Sequence, residues 1–356
     1  MRKLFVFTDQ AGPYAAELRA ARERVDDDTR DASLADLRVD GLEREGVEVV
    51  VSNGLPPEWY YTLKGMGVAT VTIDENARYF GRADITIDPL CGDERFCFTG
   101  PEHSVAGNRD FDVAGVVNLV SRLPWDSEFF GFNVAFLSCM NLTETIYGHV
   151  DRFIHAHDIR LVEYLCNCHN PDTVRVAEAK GFSFTDIRLS FARRLTHRLG
   201  QDLPAGLRFG RAGEEHVPAL QGIAGDLYVD SRYWFDSGFD RDKVKEFYRG
   251  WVEKGVRGQY DHECFALFAG EAPGAFCTLR YNTERTASIG LFGLAPEWRG
   301  KGLGKRLLAH VFNHLLERGV EEVGVVTQGR NYAAQNLYQS MGFRTKRTQL
   351  WYHKWI

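Results

Sequence analysis

Leu294–Phe312 reads LAPEWRGKGLGKRLLAHVF, and it decides the fold. Arg299, Gly300, Gly302 and Gly304 stand between two apolar runs. Ahead of them, TASIGLFGLAP (Thr286–Pro296) predicts a strand; behind them, KRLLAHVFNHLLERG (Lys305–Gly319) is apolar at helical spacing. Glycines at a strand-to-helix turn let backbone N–H groups converge on a ligand. The start of a helix adds partial positive charge. Together they form an anion cradle suited to a pyrophosphate, with charge added by Arg299 and Lys301.

Three kinds of pyrophosphate loop compete for this pattern. A P-loop needs GxxxxGK followed by Ser or Thr. Here Arg306 follows Lys305, and Arg299 fills the first glycine position. A dinucleotide fingerprint needs GxGxxG, whereas this stretch has GxGxG late in the chain. R-x-x-G-x-G, with Pro296 ahead of it, resembles the acetyl-CoA loop of the GNAT acetyltransferases. The later segment Asn331…Tyr338…Gly342-Phe343 resembles that family's following motif.

The bulk composition agrees with a globular chain. Of 356 residues, 44% are hydrophobic and 26% charged, enough for two or three domains. A net charge of -6 without a long basic run argues against a nucleic-acid partner. LFVF (Leu4–Phe7) is too short for a signal core or a membrane span. Seven cysteines without a framework point to a reduced, cytoplasmic protein. Cys166, Cys168 and His169 in LCNCHN lack a fourth ligand at zinc spacing, so they read as a strand end entering a turn, with no metal.

Along the chain, Lys3–Phe7, Val47–Gly54, Val68–Glu75 and Ala83–Pro89 read as strands, and Ala15–Glu45 as charged helical sequence. Alternation of strand and helix predicts a parallel, Rossmann-like sheet over residues 1–105. Further on lies a repeat. Ile159–Phe182 aligns without a gap on Val320–Phe343, matching Asn170 to Asn331 and Gly181-Phe182 to Gly342-Phe343. Each copy reads strand, Asn, amphipathic helix, Gly-Phe, strand, with the glycine placed as a left-handed helix cap. Ala177 stands in the first copy where Tyr338 stands in the second, and only the second follows an Arg/Gly loop.

The expected fold class is therefore α/β: a small Rossmann-like N-terminal domain (1–105), a degenerate GNAT-like half (106–200) and a second GNAT domain (201–356), each GNAT sheet mixed and flanked by helices. Within the GNAT family, Leu123–Phe132 (LPWDSEFFGF), Ser231–Cys264 and Val325–Phe343 resemble the TDP-fucosamine N-acetyltransferases, over about the last two-thirds of the chain. That group also carries a degenerate GNAT half. Val49–Pro89 resembles one half of the nucleotide-sugar hydrolases of pseudaminic acid synthesis. Their glycine–histidine turn is missing after Thr8-Asp9, which implies a binding or structural remnant.

The resemblance implies acetyl transfer from acetyl-CoA to the amine of a nucleotide-linked amino-deoxysugar, in surface glycan precursor synthesis. Gly300, Gly302, Leu303 and Gly304, with Arg299 and Lys301, would hold the pyrophosphate. Backbone groups of Leu291, Phe292, Gly293 and Leu294 would pair with the pantetheine arm as an added strand. An N–H near Phe292 would stabilise the oxyanion. Tyr338 matches the family's general acid; the alternative is a core aromatic. Asp186 matches a general-base position; the alternative is a solvated strand residue. Asn331 orients backbone or pantetheine, or caps a helix. Trp125, Asp126 and Phe130 are sugar-side candidates, or a packed turn. Arg232 and Arg280 suit a diphosphate, or pair at the surface. A homodimer follows by analogy. Two other functions stay open: a GNAT enzyme for another amine, such as a protein N-terminus or small molecule, and a non-catalytic sensor of acyl-CoA or nucleotide sugar.

Overall fold

A computed structural model describes residues 2–7, 18–19, 22–23, 29–53, 55–73, 85–88, 103–106, 120–137, 139, 142–200 and 202–356. Thr8-Asp9 and the ends of three expected strands (54, 74–75, 83–84 and 89) fall outside them. The chain divides into two compact units: residues 1–184 with 349–356, and residues 185–348.

The first unit opens with β1 (Lys3–Phe7), β2 (Thr29–Ser33), α1 (Val39–Glu45), β3 (Val49–Ser52), α2 (Pro57–Gly65), β4 (Ala69–Ile73), β5 (Ile85–Asp88) and β6 (His103–Ala106). The six strands form one sheet in the order β2-β1-β3-β4-β5-β6, and every pairing is parallel. Alternation divides β1 cleanly: Phe5 and Phe7 enter one core, Leu4 and Val6 the other. Both faces are covered, as a parallel sheet requires. The helical reading of 15–45 fails at Thr29–Ser33, which is a strand beside β1. TRDAS lies at the sheet edge, half-buried at Thr29, Ala32 and Ser33 and exposed at Arg30 and Asp31, and it carries no apolar alternation to reveal it.

The same unit continues with β7 (Val120–Arg122), α3 (Pro124–Phe130), β8 (Asn133–Leu137), α4 (Glu144–Ala156), β9 (Ile159–Asn167) and α5 (Pro171–Ala179). β8 runs parallel to β9. LCNCHN is the end of β9 and a turn, in which the Asn167 side-chain oxygen accepts the His169 N–H at 3.0 Å.

The second unit contains most of β10 (Ser183–Arg194), then β11 (Leu207–Arg211), α6 (Val217–Gly225), α7 (Arg232–Phe235), α8 (Arg241–Val256), β12 (Glu263–Ala269), β13 (Ala272–Tyr281), β14 (Thr286–Leu294), α9 (Leu303–Glu317), β15 (Glu322–Gln328) and α10 (Tyr332–Ser340). β16 (Arg344–Trp355) follows, and its Gln349–Trp355 end pairs with β9 in the first unit. In the second unit the strands run β11-β12-β13-β14-β15-β10. Pairing is antiparallel except between β14 and β15. Leu303, Leu307, Leu308, Val311, Phe312 and Leu315 of α9 bury one stripe against this sheet.

The two repeat copies share their backbone devices. Asn170 caps α5 by accepting from Asp172 and Thr173 N–H, and Asn331 caps α10 by accepting from Ala334 N–H. Gly181 and Gly342 both have φ 81°. Phe182 N–H donates to Ala177 C=O at 3.0 Å, and Phe343 N–H to Tyr338 C=O at 3.0 Å. The same helix-ending motif therefore closes both copies.

Candidate active site

β14 is the spine of the site. It pairs with β15 only from Thr286 to Ile289, and then the two strands part. Gly290–Leu294 continues along β13 alone, with a register skip that sets Gly290 and Leu291 against Thr278. Such a bulge re-aims the strand beyond it. Leu291 N–H turns to Thr278 Oγ1 (2.7 Å), and Ala295 N–H turns to Gly274 C=O (2.9 Å), so the odd residues face β13. Alternation then points the polar groups of Phe292 and Leu294 at the edge that β15 has left. Their carbonyls accept there, Phe292 from the Tyr228 hydroxyl at 3.4 Å and Leu294 from Arg299 Nε at 3.1 Å. Of the four residues expected to meet pantetheine, two thus have outward N–H groups.

The Arg/Gly loop follows. Gly300 and Gly302 both have φ 73°, a left-handed conformation that costs an L-residue roughly 1–2 kcal/mol. Gly302 is the N-cap of α9 and gives it no side-chain cap bond. The first amides of the helix are left for an external acceptor. Arg299, Lys301 and Lys305 are exposed around this end, while Leu303 is buried beneath it. Gly304 is not forced by its backbone; a methyl there would meet Leu337, Leu294 and Phe292 at ordinary contact distance.

Tyr338 is 4% exposed, in the space between Phe191, Phe292 and Phe343, with ring centroids 6.2, 6.3 and 5.6 Å away. It is a core aromatic by position. Its hydroxyl nevertheless has no hydrogen-bond partner among the described residues. Burial drives its pKa upward, with the Cys277 thiol adding to the shift, so it holds its proton at neutral pH.

Asp186 is not a solvated strand residue: it is 1% exposed. Its Oδ1 accepts from Ile187 N–H at 2.8 Å and lies 3.5 Å from Arg330 Nη1. Oδ2 is buried without a partner. Burial lifts the carboxyl to about 6, against the opposing pull of Arg330, the Ile187 N–H and Arg232. Arg330 lies over the Phe235 ring at 4.0 Å and donates to Thr185 C=O at 3.1 Å. Gly329 makes this approach possible, since a Cβ there would stand 2.7 Å from the Ile187 Cβ.

Asp186 and Tyr338 are not adjacent. Phe191, which packs on Tyr338, lies five residues along β10 from Asp186, roughly 17 Å of strand. The odd separation puts the two on opposite faces of the sheet. Arg232 stands on the Asp186 side, with Nη2 on the Tyr233 hydroxyl at 2.5 Å. Arg280 does not join them: it pairs with Ser288, short of the parting point, and is held by Tyr260 C=O at 3.1 Å and the Tyr260 ring. Trp125, Asp126 and Phe130 belong to α3 in the first unit. Phe130 is buried there against Phe129 and Phe132, a packed turn.

Sequence reading missed Tyr228, Asp261, Thr278 and Arg330. Two signals were available. Gly290 inside a strand marks a close approach, and Arg330 aligns with His169 next to the cap Asn of the repeat.

No described helix is long and apolar enough to cross a membrane. A model of the acetyltransferase (GNAT) family matches residues 225–343. The chain is 32% identical over 148 residues to the dTDP-fucosamine acetyltransferase of Escherichia coli, covering 40% of this chain and 61% of that protein. It is 28% identical over 137 residues to the spore coat polysaccharide biosynthesis protein SpsD of Bacillus subtilis, covering 38% and 47%. The chain thus spans about half to three-fifths of those two relatives. A mycothiol acetyltransferase of Saccharomonospora viridis is 33% identical over 300 residues, covering 76% of this chain and 89% of that one. With this last match over most of both chains, and with the family model lying on the parted strands, the open loop and Tyr338, the chain belongs to the GNAT family of acetyltransferases.

Proposed function

We propose that the chain transfers an acetyl group from acetyl-CoA to the amine of a nucleotide-linked amino-deoxysugar, in the supply of surface glycan precursors. The observation that carries the acetyl-CoA part is the open edge of β14 beyond Ile289, ending at a helix start without a side-chain cap. The α9 amides, Gly300 and Gly302 would take the pyrophosphate, and the Phe292 and Leu294 amides the pantetheine arm. The sugar amine is supported by the likeness to the E. coli and B. subtilis proteins.

The chain's own groups then divide the work. The Phe292 N–H stabilises negative charge growing on the thioester oxygen. Asp186, ionised above about pH 6, receives the proton lost by the attacking amine through intervening water. The C–S bond breaks as the C–N bond forms. Tyr338, which burial keeps protonated at neutral pH, gives its proton to the sulfur as the thiolate leaves and regains one from solvent. Arg232 and Arg330 border the acceptor side and suit a diphosphate. Asn331 acts through its cap, holding α10 and with it Tyr338. We place the working domain at 201–356, the degenerate half at 106–200 and a separate domain at 1–105.

A second reading keeps the chemistry and changes the amine, and the 300-residue match to a mycothiol acetyltransferase favours it. The deciding test is thiol release from acetyl-CoA with dTDP- and UDP-linked amino-deoxysugars and with a mycothiol-precursor amine. Turnover confined to one nucleotide sugar supports the proposal; turnover confined to the mycothiol precursor overturns the sugar assignment. Acetyl-CoA binding without turnover on any acceptor leaves a sensor.

A further inference from the structure

We infer that Thr278, backed by the buried Asp261, is a positioning residue that aims the Phe292 N–H into the gap between β14 and β15. The inference rests on the reading of that gap as the thioester site.

Thr278 is 0% and Asp261 1% exposed. Thr278 Oγ1 donates to Asp261 Oδ2 at 2.6 Å and accepts the Leu291 N–H at 2.7 Å. Trp251 Nε1 reaches the same carboxylate oxygen at 3.3 Å. Each hydrogen bond has one possible polarity. The Trp251 N–H can only donate, so Asp261 Oδ2 is an acceptor; the hydroxyl proton goes to that oxygen, and an oxygen lone pair of Thr278 remains for Leu291. The bulge puts two residues of β14 against one of β13, so the ladder alone has no regular acceptor for the extra amide. The Thr278 side chain supplies it.

Packing holds the device in place. A Cβ on Gly290 would stand 2.2 Å from Asp261 Oδ2, so only glycine lets the bulge close on the carboxylate. A Cβ on Gly255 of α8 would stand 2.9 Å from Thr278 Cγ2. In extended backbone the Leu291 N–H and C=O point the same way, and the Phe292 N–H lies trans to that carbonyl across a planar peptide. Fixing the Leu291 N–H toward β13 therefore directs the Phe292 N–H toward the open edge. A donor set before the reaction starts stabilises a developing oxyanion without reorganising.

The test compares Thr278→Val, Thr278→Ser and Asp261→Asn, using full-length protein. Two readouts are taken: amide exchange at Leu291 and Phe292 in the absence of ligand, and steady-state acetyl transfer. Thr278→Val should speed Leu291 exchange at least tenfold. It should lower kcat ten- to hundredfold, with the KM for acetyl-CoA within threefold. Thr278→Ser should restore both, and Asp261→Asn should fall between. Unchanged Leu291 exchange in Thr278→Val, or a kcat within twofold of wild type, overturns the inference. So does a Thr278→Ser protein as impaired as Thr278→Val. If Thr278→Val does not fold, Asp261→Asn carries the same decision through both readouts. If the wild-type chain releases no thiol with any acceptor, the functional reading fails, while the exchange measurement still decides whether the buttress orders the bulge.

Discussion

The two repeat copies, Ile159–Phe182 and Val320–Phe343, have the same scaffold and differ at the places where chemistry would occur. Both have an Asn-capped helix, a glycine at φ 81° and a phenylalanine folded back on the helix end. In the first copy the last described pair of β8 and β9 is Leu137 opposite Tyr164. The equivalent level in the second copy is Ile289 opposite Val325, and there β14 runs on through Gly290–Leu294 along an open edge. The helices after these strands differ in the same sense. Thr143 closes the start of α4 with its own hydroxyl, accepting from Ile146 N–H at 3.2 Å. Gly302 leaves the start of α9 open. Where the second copy has the hydroxyl of Tyr338, the first has Ala177, buried in a hydrophobic core. Caps and core therefore suffice for the fold, whereas the site proposed for the second copy adds an extended strand, an open helix end and one hydroxyl.

The sharpest way to break this comparison is Tyr338→Phe. The hydroxyl has no hydrogen-bond partner among the described residues, so its loss should leave the melting temperature within a degree or two. kcat should fall on the order of 10²- to 10³-fold, the scale of a general acid. An unchanged kcat would make Tyr338 as passive as Ala177. Gly302→Ala should act on binding instead. A left-handed alanine costs about 1–2 kcal/mol, and a displaced loop should raise the KM for acetyl-CoA by roughly tenfold or more. Calorimetry with CoA checks it directly.

Asp186 gives a pH signature. With its carboxyl at about 6, kcat/KM should fall tenfold per pH unit below that point, and Asp186→Asn should lower the plateau and erase the limb. Stability should run the other way. The folded value is raised above the ordinary 3.8, so folding favours the protonated acid, and this contribution is lost as pH rises through about 6. The melting temperature of Asp186→Asn relative to wild type should therefore be higher at pH 8 than at pH 5, with the change falling between about 4 and 6. The smallest effect belongs to the first copy. Asn170→Ala removes the acceptor for two amides and should cost roughly 1–2 kcal/mol, seen in urea denaturation, with kcat unchanged.

Much of the site was legible as local pattern. R-x-x-G-x-G between a strand and a helix announced left-handed turns and an open helix start, because these are properties of short segments. The repeat was legible for the same reason: cap residues and Gly-Phe act within one helix. β2 was not, since an edge strand such as TRDAS has no apolar alternation. Asp186 was visible as a candidate, but not as a buried acid, and its distance from Tyr338 could not be read at all. Both depend on which strand lies beside which.

By itself, then, the sequence determined the elements of the repeat, their caps, the loop glycines and the tyrosine that one copy has and the other lacks. These follow from interactions among residues a few positions apart. Tertiary structure alone decided where β14 leaves β15, which amides face the opening, and that Asp261, seventeen residues before Thr278, sits beneath the bulge. It also decided the burial that lifts Asp186 and Tyr338. Pairing partners and desolvation are set by contacts between distant segments, and no local pattern carries that information.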